Sequence, residues 1–267
     1  MDRIQTRNRV LFASGLIAMA LTGFRFGDFA SILQEIPKWV PARTAIPYAG
    51  AAVMLAAGVG LLFTHTVTLA ARVTFGYLAL WFLMLNLPIV VRSPLVEVNW
   101  QGLGEISVML AGGWVLFASL VPQTDGVVSN VAGGARGMRL AQIVFALALL
   151  PLGLAHIVYL DNTAPLVPAW LPGHTAWAYI TGAAQIAAGW AVLLSIVPRL
   201  AATLDAVLLT CFTFLVWVPL LVAKPASGGL WSEFTVSWAI TAGAWVVAAA
   251  MPRRESRLIF GFQSRTR

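Results

Sequence analysis

Three residues with chemistry of their own fall close together, His156, Tyr159 and Asp161, and a second histidine, His174, follows in the next loop. Imidazole changes charge near neutral pH, so it can pass a proton or hydrogen-bond a carbonyl such as that of a quinone, and a nearby carboxylate would hold it ready. The same residues also fit a buried histidine bonded to a backbone carbonyl or to Asp161. Their spacing does not match a metal-ligand pattern, and no metal is assigned. Gln185 stands among alanines and glycines, where its amide can hold a polar headgroup or a neighbouring helix. Asp205 is another ionisable group deep in an apolar run, and Arg199 is the residue expected to neutralise it. Glu105 and Glu233 are read either as partners of Arg25, Arg92 or Lys224 or as proton-linked groups. Arg25, followed by Asp28 and Glu35, can anchor an anion or a lipid headgroup but cannot shuttle protons. There is no nucleophile motif, no Rossmann glycine pattern and no pair of facing histidines for haem, so these residues name no reaction and leave enzymatic activity open.

The elements that must position them are set by composition. The 267 residues are 60% hydrophobic and 10% charged, with a mean hydropathy of +0.84. Soluble domains carry roughly 25% charged residues, so this surface faces lipid. Disorder is excluded on the same grounds, and the net charge of +7 needs no nucleic-acid partner. The single cysteine, Cys211, excludes an intramolecular disulfide, a CxxC motif and Cys-rich metal sites. A bilayer core about 30 Å thick requires around 20 apolar residues per helix. Eight such runs are expected: Val10–Phe26, Ala45–Phe63, Val73–Val91, Gly104–Val121, Leu140–Leu160, Ala176–Ile196, Ala201–Val222 and Phe234–Met251. The first is short and follows a basic segment, but no small-residue cleavage pattern stands after it, and we read it as a retained helix. Twelve of the 17 Lys and Arg residues lie in the termini and the even-numbered loops. Both termini are therefore predicted to be cytoplasmic in a multi-pass membrane protein.

Sliding the chain against itself by 131 residues aligns Leu21–Ala118 with the second half and gives 25 identities in 98 positions. Pro37, Trp39, Pro41, Thr44, Ala45 and Tyr48 fall on Pro168, Trp170, Pro172, Thr175, Ala176 and Tyr179, and Trp100 and Trp114 fall on Trp231 and Trp245. Four helices per unit is an even number, so both halves enter the membrane in the same sense and form parallel repeats. The fold expected is all-α, with eight transmembrane helices as two four-helix units. The first unit covers residues 1–121, a glycine-rich and flexible cytoplasmic linker 122–139, the second unit 140–251 and a basic tail 252–267. The paired Pro and Trp motifs suit helix starts at the headgroup level, with Pro41 and Pro172 opening the second helix of each unit. The small residues that follow suit close helix packing.

The stretches Gly153-Leu154-Ala155-His156, Leu166-Val167-Pro168-Ala169-Trp170-Leu171-Pro172-Gly173 and Thr181-Gly182-Ala183-Ala184-Gln185 resemble the DoxX-like family of four-helix membrane proteins. The resemblance implies an inner-membrane protein, and some relatives are subunits of a thiosulfate:quinone oxidoreductase or partners in thiol and oxidative-stress systems. It implies a quinone as the candidate cofactor and a membrane or periplasmic redox protein as the candidate partner. The chain departs from the pattern in being doubled, in having Arg25 where the second half has His156, and in placing Ala51 to Met54 opposite Gly182 to Gln185; a lone Cys211 also cannot perform dithiol chemistry by itself. A non-catalytic assembly protein and a small-molecule carrier are the other classes open to it.

Overall fold

The computed structural model describes residues 3–27, 45–124 and 126–252, and every regular element among them is a helix. The long helices are α1 (Arg3–Phe26), α2 (Ala45–Leu62), α3 (Val67–Arg92), α4 (Glu97–Leu120), α5 (Gly134–Val158), α6 (His174–Leu193), α7 (Pro198–Ala223) and α8 (Gly228–Ala250). Seven of them are long and apolar enough to cross a bilayer, which makes this an all-helical, multi-pass membrane protein. The exception, α6, has 20 residues but is diluted by Trp, Tyr, Gly, Thr and Gln.

Helix ends differ from the apolar runs in one consistent way. Helix α4 begins at Glu97 rather than Gly104, α8 at Gly228 rather than Phe234, and α5 at Gly134 rather than Leu140. Backbone hydrogen bonding extends a helix past its apolar stretch into the interface, where polar side chains are solvated. Glu233, expected just before the last helix, therefore lies inside α8. The glycine-rich segment expected to be flexible is helical over Val127–Ala132 and is tied to α4, with Trp114 Nε1 donating to the Ala132 carbonyl at 2.8 Å. Pro172 does not open α6; the helix starts at His174 after Gly173, whose φ of +72° is a left-handed turn that glycine adopts without strain. Pro41, Trp39, Asp28 and Glu35 lie outside the described residues.

Helices α3 and α7 each carry a wide π turn, over Phe82–Asn86 and Phe212–Trp217. Each lies just before or around the carbonyl that a proline, Pro88 or Pro219, leaves without its usual donor. Proline has no N–H and its ring crowds the preceding turn, and the widened turn absorbs both defects without breaking the helix. The turns after these helices also match, with Ser93 at φ −137°, ψ 66° and Lys224 at φ −138°, ψ 67°. The indole of Trp100 donates to the Pro94 carbonyl at 2.8 Å, and that of Trp231 to the Pro225 carbonyl at 2.9 Å.

Lipid tails are as apolar as leucine, so these helices associate by close contact and by polar bonds between them rather than by escape from water. The centre is the crossing of α4 and α8. A Cβ on Gly112 would stand 2.6 Å from the Gly243 Cα, and one on Gly243 would stand 2.8 Å from the Val108 carbonyl oxygen, so the two backbones touch. Helix α1 packs on α8 and α5 on α4; α2 and α6 pack on α1 and α5 in turn, and α3 and α7 lean on α4 and α8. Indole and amide bonds lock these contacts: Trp238 Nε1 donates to Ser14 Oγ at 3.0 Å, Trp245 Nε1 to Thr210 Oγ1 at 3.1 Å, and Gln142 Nε2 to the Ala250 carbonyl at 3.2 Å.

Replacing Gly112 with leucine is expected to lower stability by about 1–3 kcal/mol, the usual penalty for overpacking, read as a lower thermal midpoint in detergent. Gly76→Ala, at a position with nothing within 4 Å of a Cβ, is expected to leave that midpoint unchanged or to raise it.

Candidate functional site

A cavity of about 900 Å³ opens between α4, α5, α6, α7 and α8, near the ends of the helices that meet at the 159–171 connection. Helix α5 brings His156 to it because Gly153 allows α6 to approach; a Cβ on Gly153 would lie 2.4 Å from the Gly182 carbonyl oxygen, and one on Gly182 2.6 Å from that of Gly153. That contact also sets Gln185 on α6 at the cavity wall. Helix α4 supplies Gln101 and Glu105, α8 supplies Glu233 and Ser237, and the π turn of α7 supplies Phe212, Leu215 and Trp217. Thr213, at the centre of that turn, bonds Ser237 Oγ at 2.8 Å and Thr241 Oγ1 at 2.9 Å, which holds the widened segment against α8.

His156 Nδ1 lies 2.9 Å from the Leu152 carbonyl oxygen. A carbonyl only accepts, so Nδ1 carries the hydrogen, and the neutral ring keeps its lone pair on Nε2. Of the two bonding arrangements open to this residue, the backbone one is found. The ring stacks on Phe212 with centroids 5.3 Å apart. Tyr159 accepts a hydrogen bond from the Val98 N–H at 3.1 Å and so ties the end of α5 to the start of α4. Thr163 Oγ1 closes the same end by donating to the His156 and Tyr159 carbonyls at 3.0 and 3.1 Å.

Glu105 accepts from Gln101 Nε2 at 3.1 Å, so its partner is a neighbouring amide rather than Arg25, Arg92 or Lys224. Glu233 lines the same cavity from α8. Gln185 is 1% exposed and Asp205 2% exposed. The two lie side by side, with Asp205 behind the cavity wall. Neither Asp205 oxygen has a hydrogen-bond partner, and Gln185 Oε1 has none either. Arg199, expected to neutralise Asp205, makes no hydrogen bond to it.

Of the residues singled out from sequence, the cavity thus gathers His156, Tyr159, Gln185, Glu105 and Glu233. Asp161 is exposed in the turn Leu160–Thr163, and His174 is half-buried at the start of α6; neither lines the cavity. Arg25 is exposed at the end of α1, with its guanidinium 5.4 Å from the Phe26 ring centroid. No group of three His, Cys, Asp or Glu among the described residues could hold a metal ion. Trp177, Phe212 and Trp217 carry no signal in the sequence that sets them apart from other apolar residues of their spans; a proline soon after an aromatic run, as at Pro219, is the one local sign that α7 would widen there.

The family described as Domain of unknown function (DUF8561) matches residues 145–251. That match covers most of α5 and all of α6, α7 and α8, and so all of the cavity except the residues from α4. No curated protein and no solved structure matches the chain.

Cys211 is exposed and lies on the cavity wall, so it reports on the cavity directly. A lipid-soluble maleimide is expected to label it in membranes at least several-fold faster than a charged, membrane-impermeant one, measured by mass shift against time. Equal rates would show that the cavity is open to bulk water.

Proposed function

We propose that this chain is a DoxX-like integral membrane protein, two parallel four-helix units with α6 as the eighth span, that binds a lipid-soluble ligand in the cavity of its second unit. The duplication is supported by the identities at a separation of 131 residues, by the π turns of α3 and α7, and by the paired indole bonds of Trp100 and Trp231. In that arrangement α1 on α8 repeats α5 on α4, and Gly112 meets Gly243, its own counterpart. The protein is placed in a bacterial inner membrane with both termini cytoplasmic, so that the cavity opens toward the outer face. The placement of Lys and Arg supports the orientation, and the DoxX-like resemblance is what suggests a bacterial inner membrane.

The observation that carries the ligand reading is the cavity itself. About 900 Å³ is within the range of small-molecule sites, and its apolar wall with a few convergent polar groups is the usual form of one. A quinone is the ligand class that the redox-associated reading names. A quinone ring would stack beside His156 and Phe212, and the polar edges of Gln185 and Tyr159 would meet its oxygens. Because the neutral His156 presents a lone pair at Nε2, it would accept from a hydroxyl and would have to be protonated to donate to a carbonyl. The role proposed is a redox-associated membrane subunit with a membrane or periplasmic protein partner; one that only recruits such a partner would need no ligand.

The test is mass spectrometry of an organic extract of the detergent-purified protein beside His156→Ala and Gln185→Ala. Stoichiometric quinone in the parent protein, reduced severalfold or lost in either variant, is the expected result. Bulk lipid alone in all three samples would overturn the quinone assignment. Orientation is tested in a Cys211→Ala background: Ser227→Cys is expected to react with an impermeant maleimide in cells whose outer membrane is permeable, and Ser195→Cys only after the inner membrane is broken. The reverse pattern would invert the topology.

A further inference from the structure

The charge of the cavity wall says more about its occupant than its size does. Two carboxyl groups, Glu105 and Glu233, come from different helices to one apolar space. Among the described residues that line the cavity there is no Lys or Arg, and His156 turns its N–H to its own helix. Gln185, 1% exposed, packs at the wall, and its unpartnered carbonyl oxygen is buried beneath the surface, with the Asp205 carboxyl group beside the same side chain. Each of these atoms accepts hydrogen bonds or carries negative charge. A buried acceptor left unmade is expensive, and carboxylates in a low-dielectric space require a counter-charge. Gln101 Nε2 donates to Glu105, but the described lining residues supply no positive charge.

Aromatic rings complete the arrangement. Trp177 on α6 and Phe212 and Trp217 on the π turn of α7 stand around the same space. The face of an aromatic ring is electronegative and attracts cations, most strongly when both are removed from water. A neutral apolar ligand would use the rings and leave the acids unanswered, and an anion would be repelled by them.

We propose that this cavity recognises a lipophilic organic cation, an ammonium or similar onium group carried on an apolar body, with Glu105 and Glu233 as its counter-charges and the faces of Trp177, Phe212 and Trp217 around it. The inference rests on the reading of the cavity as a ligand site and narrows the chemistry of what enters it. It does not depend on a quinone being bound.

The experiment uses two probes of the same size and shape with opposite charge, tetraphenylphosphonium and tetraphenylborate, titrated by equilibrium dialysis into the purified full-length protein. Tetraphenylphosphonium is expected to bind saturably and at least about tenfold more tightly than tetraphenylborate, a difference of about 1.4 kcal/mol. Glu105→Gln with Glu233→Gln is expected to remove that preference, with the thermal midpoint taken alongside to establish folding. The comparison of the two ions on the unaltered protein needs no variant. Equal binding of the two ions, tighter binding of the borate, or no saturable phosphonium binding would overturn the proposal. A folded double variant that keeps the preference would do the same. Quinone in the organic extract with no phosphonium binding would leave the proposed function standing and remove only this inference.

Discussion

The contact between the backbones of α4 and α8 at Gly112 and Gly243 is the constraint on which the rest of the bundle depends. In water, helices can be pressed together by the gain from burying apolar surface; in lipid that gain is nearly absent, and contact must come from shape. Two glycines facing each other remove the side chains that would hold the axes apart. Once α4 and α8 are in contact, α5 is seated on the first and α1 on the second, and each carries a further helix on its far side. The position of His156 therefore depends both on this seating of α5 and on the local contact of Gly153 with Gly182.

The cavity is the place where that packing is relaxed. The proline-linked π turn widens α7 at Phe212–Trp217, and Thr213 anchors the widened segment through Ser237 and Thr241. Interhelical bonds of this kind average about 0.6 kcal/mol and reach about 1.7, so the trio fixes geometry more than it adds stability. The space that results is lined by rings on the α7 side and by carboxyl groups on the α4 and α8 side. Such groups in an apolar setting disfavour folding unless something answers them. Their concentration on one wall is hard to account for by packing alone.

Composition and hydropathy were enough to place most of the spans, because lipid imposes a length and an apolar content that no other solvent does. The same scan blurred helix ends, since Glu97, Asn99 and Gln101 continue α4 into a polar zone that no apolar window detects. Polar residues in apolar runs, His156 and Gln185 among them, were visible for the same reason that they are expensive. What could not be read was which of them meet. Asp161 and His174 are near His156 along the chain, but a helical turn and a connecting loop carry them off the cavity wall. Glu105 is far away along the chain and faces the same space, because the crossing of α4 with α5 and α8 is a tertiary fact. The aromatic wall was illegible for a different reason: Trp177, Phe212 and Trp217 are chemically indistinguishable from lipid-facing filler until their neighbours are known.

If the halves descend from one unit, they have diverged in opposite directions at the positions that matter. Gln185 stands where the first half has Met54, Asp205 where it has Thr74, and His156 where it has Arg25. Each of those replacements puts an ionisable or amide group on the second half, and Arg25 has moved its charge to an exposed helix end beside Phe26. Glu105 reverses the pattern, since its counterpart is Val236, but it belongs to the helix of the first half that packs against α5 and so faces the second-half cavity. His156, Gln185 and Glu105 therefore meet at one cavity although they come from both halves, with Asp205 beside Gln185. A duplicated bundle gives a physical reason for that arrangement: one copy of each crossing keeps the helices together with apolar and small residues, and the other is released to carry groups that would otherwise loosen the fold.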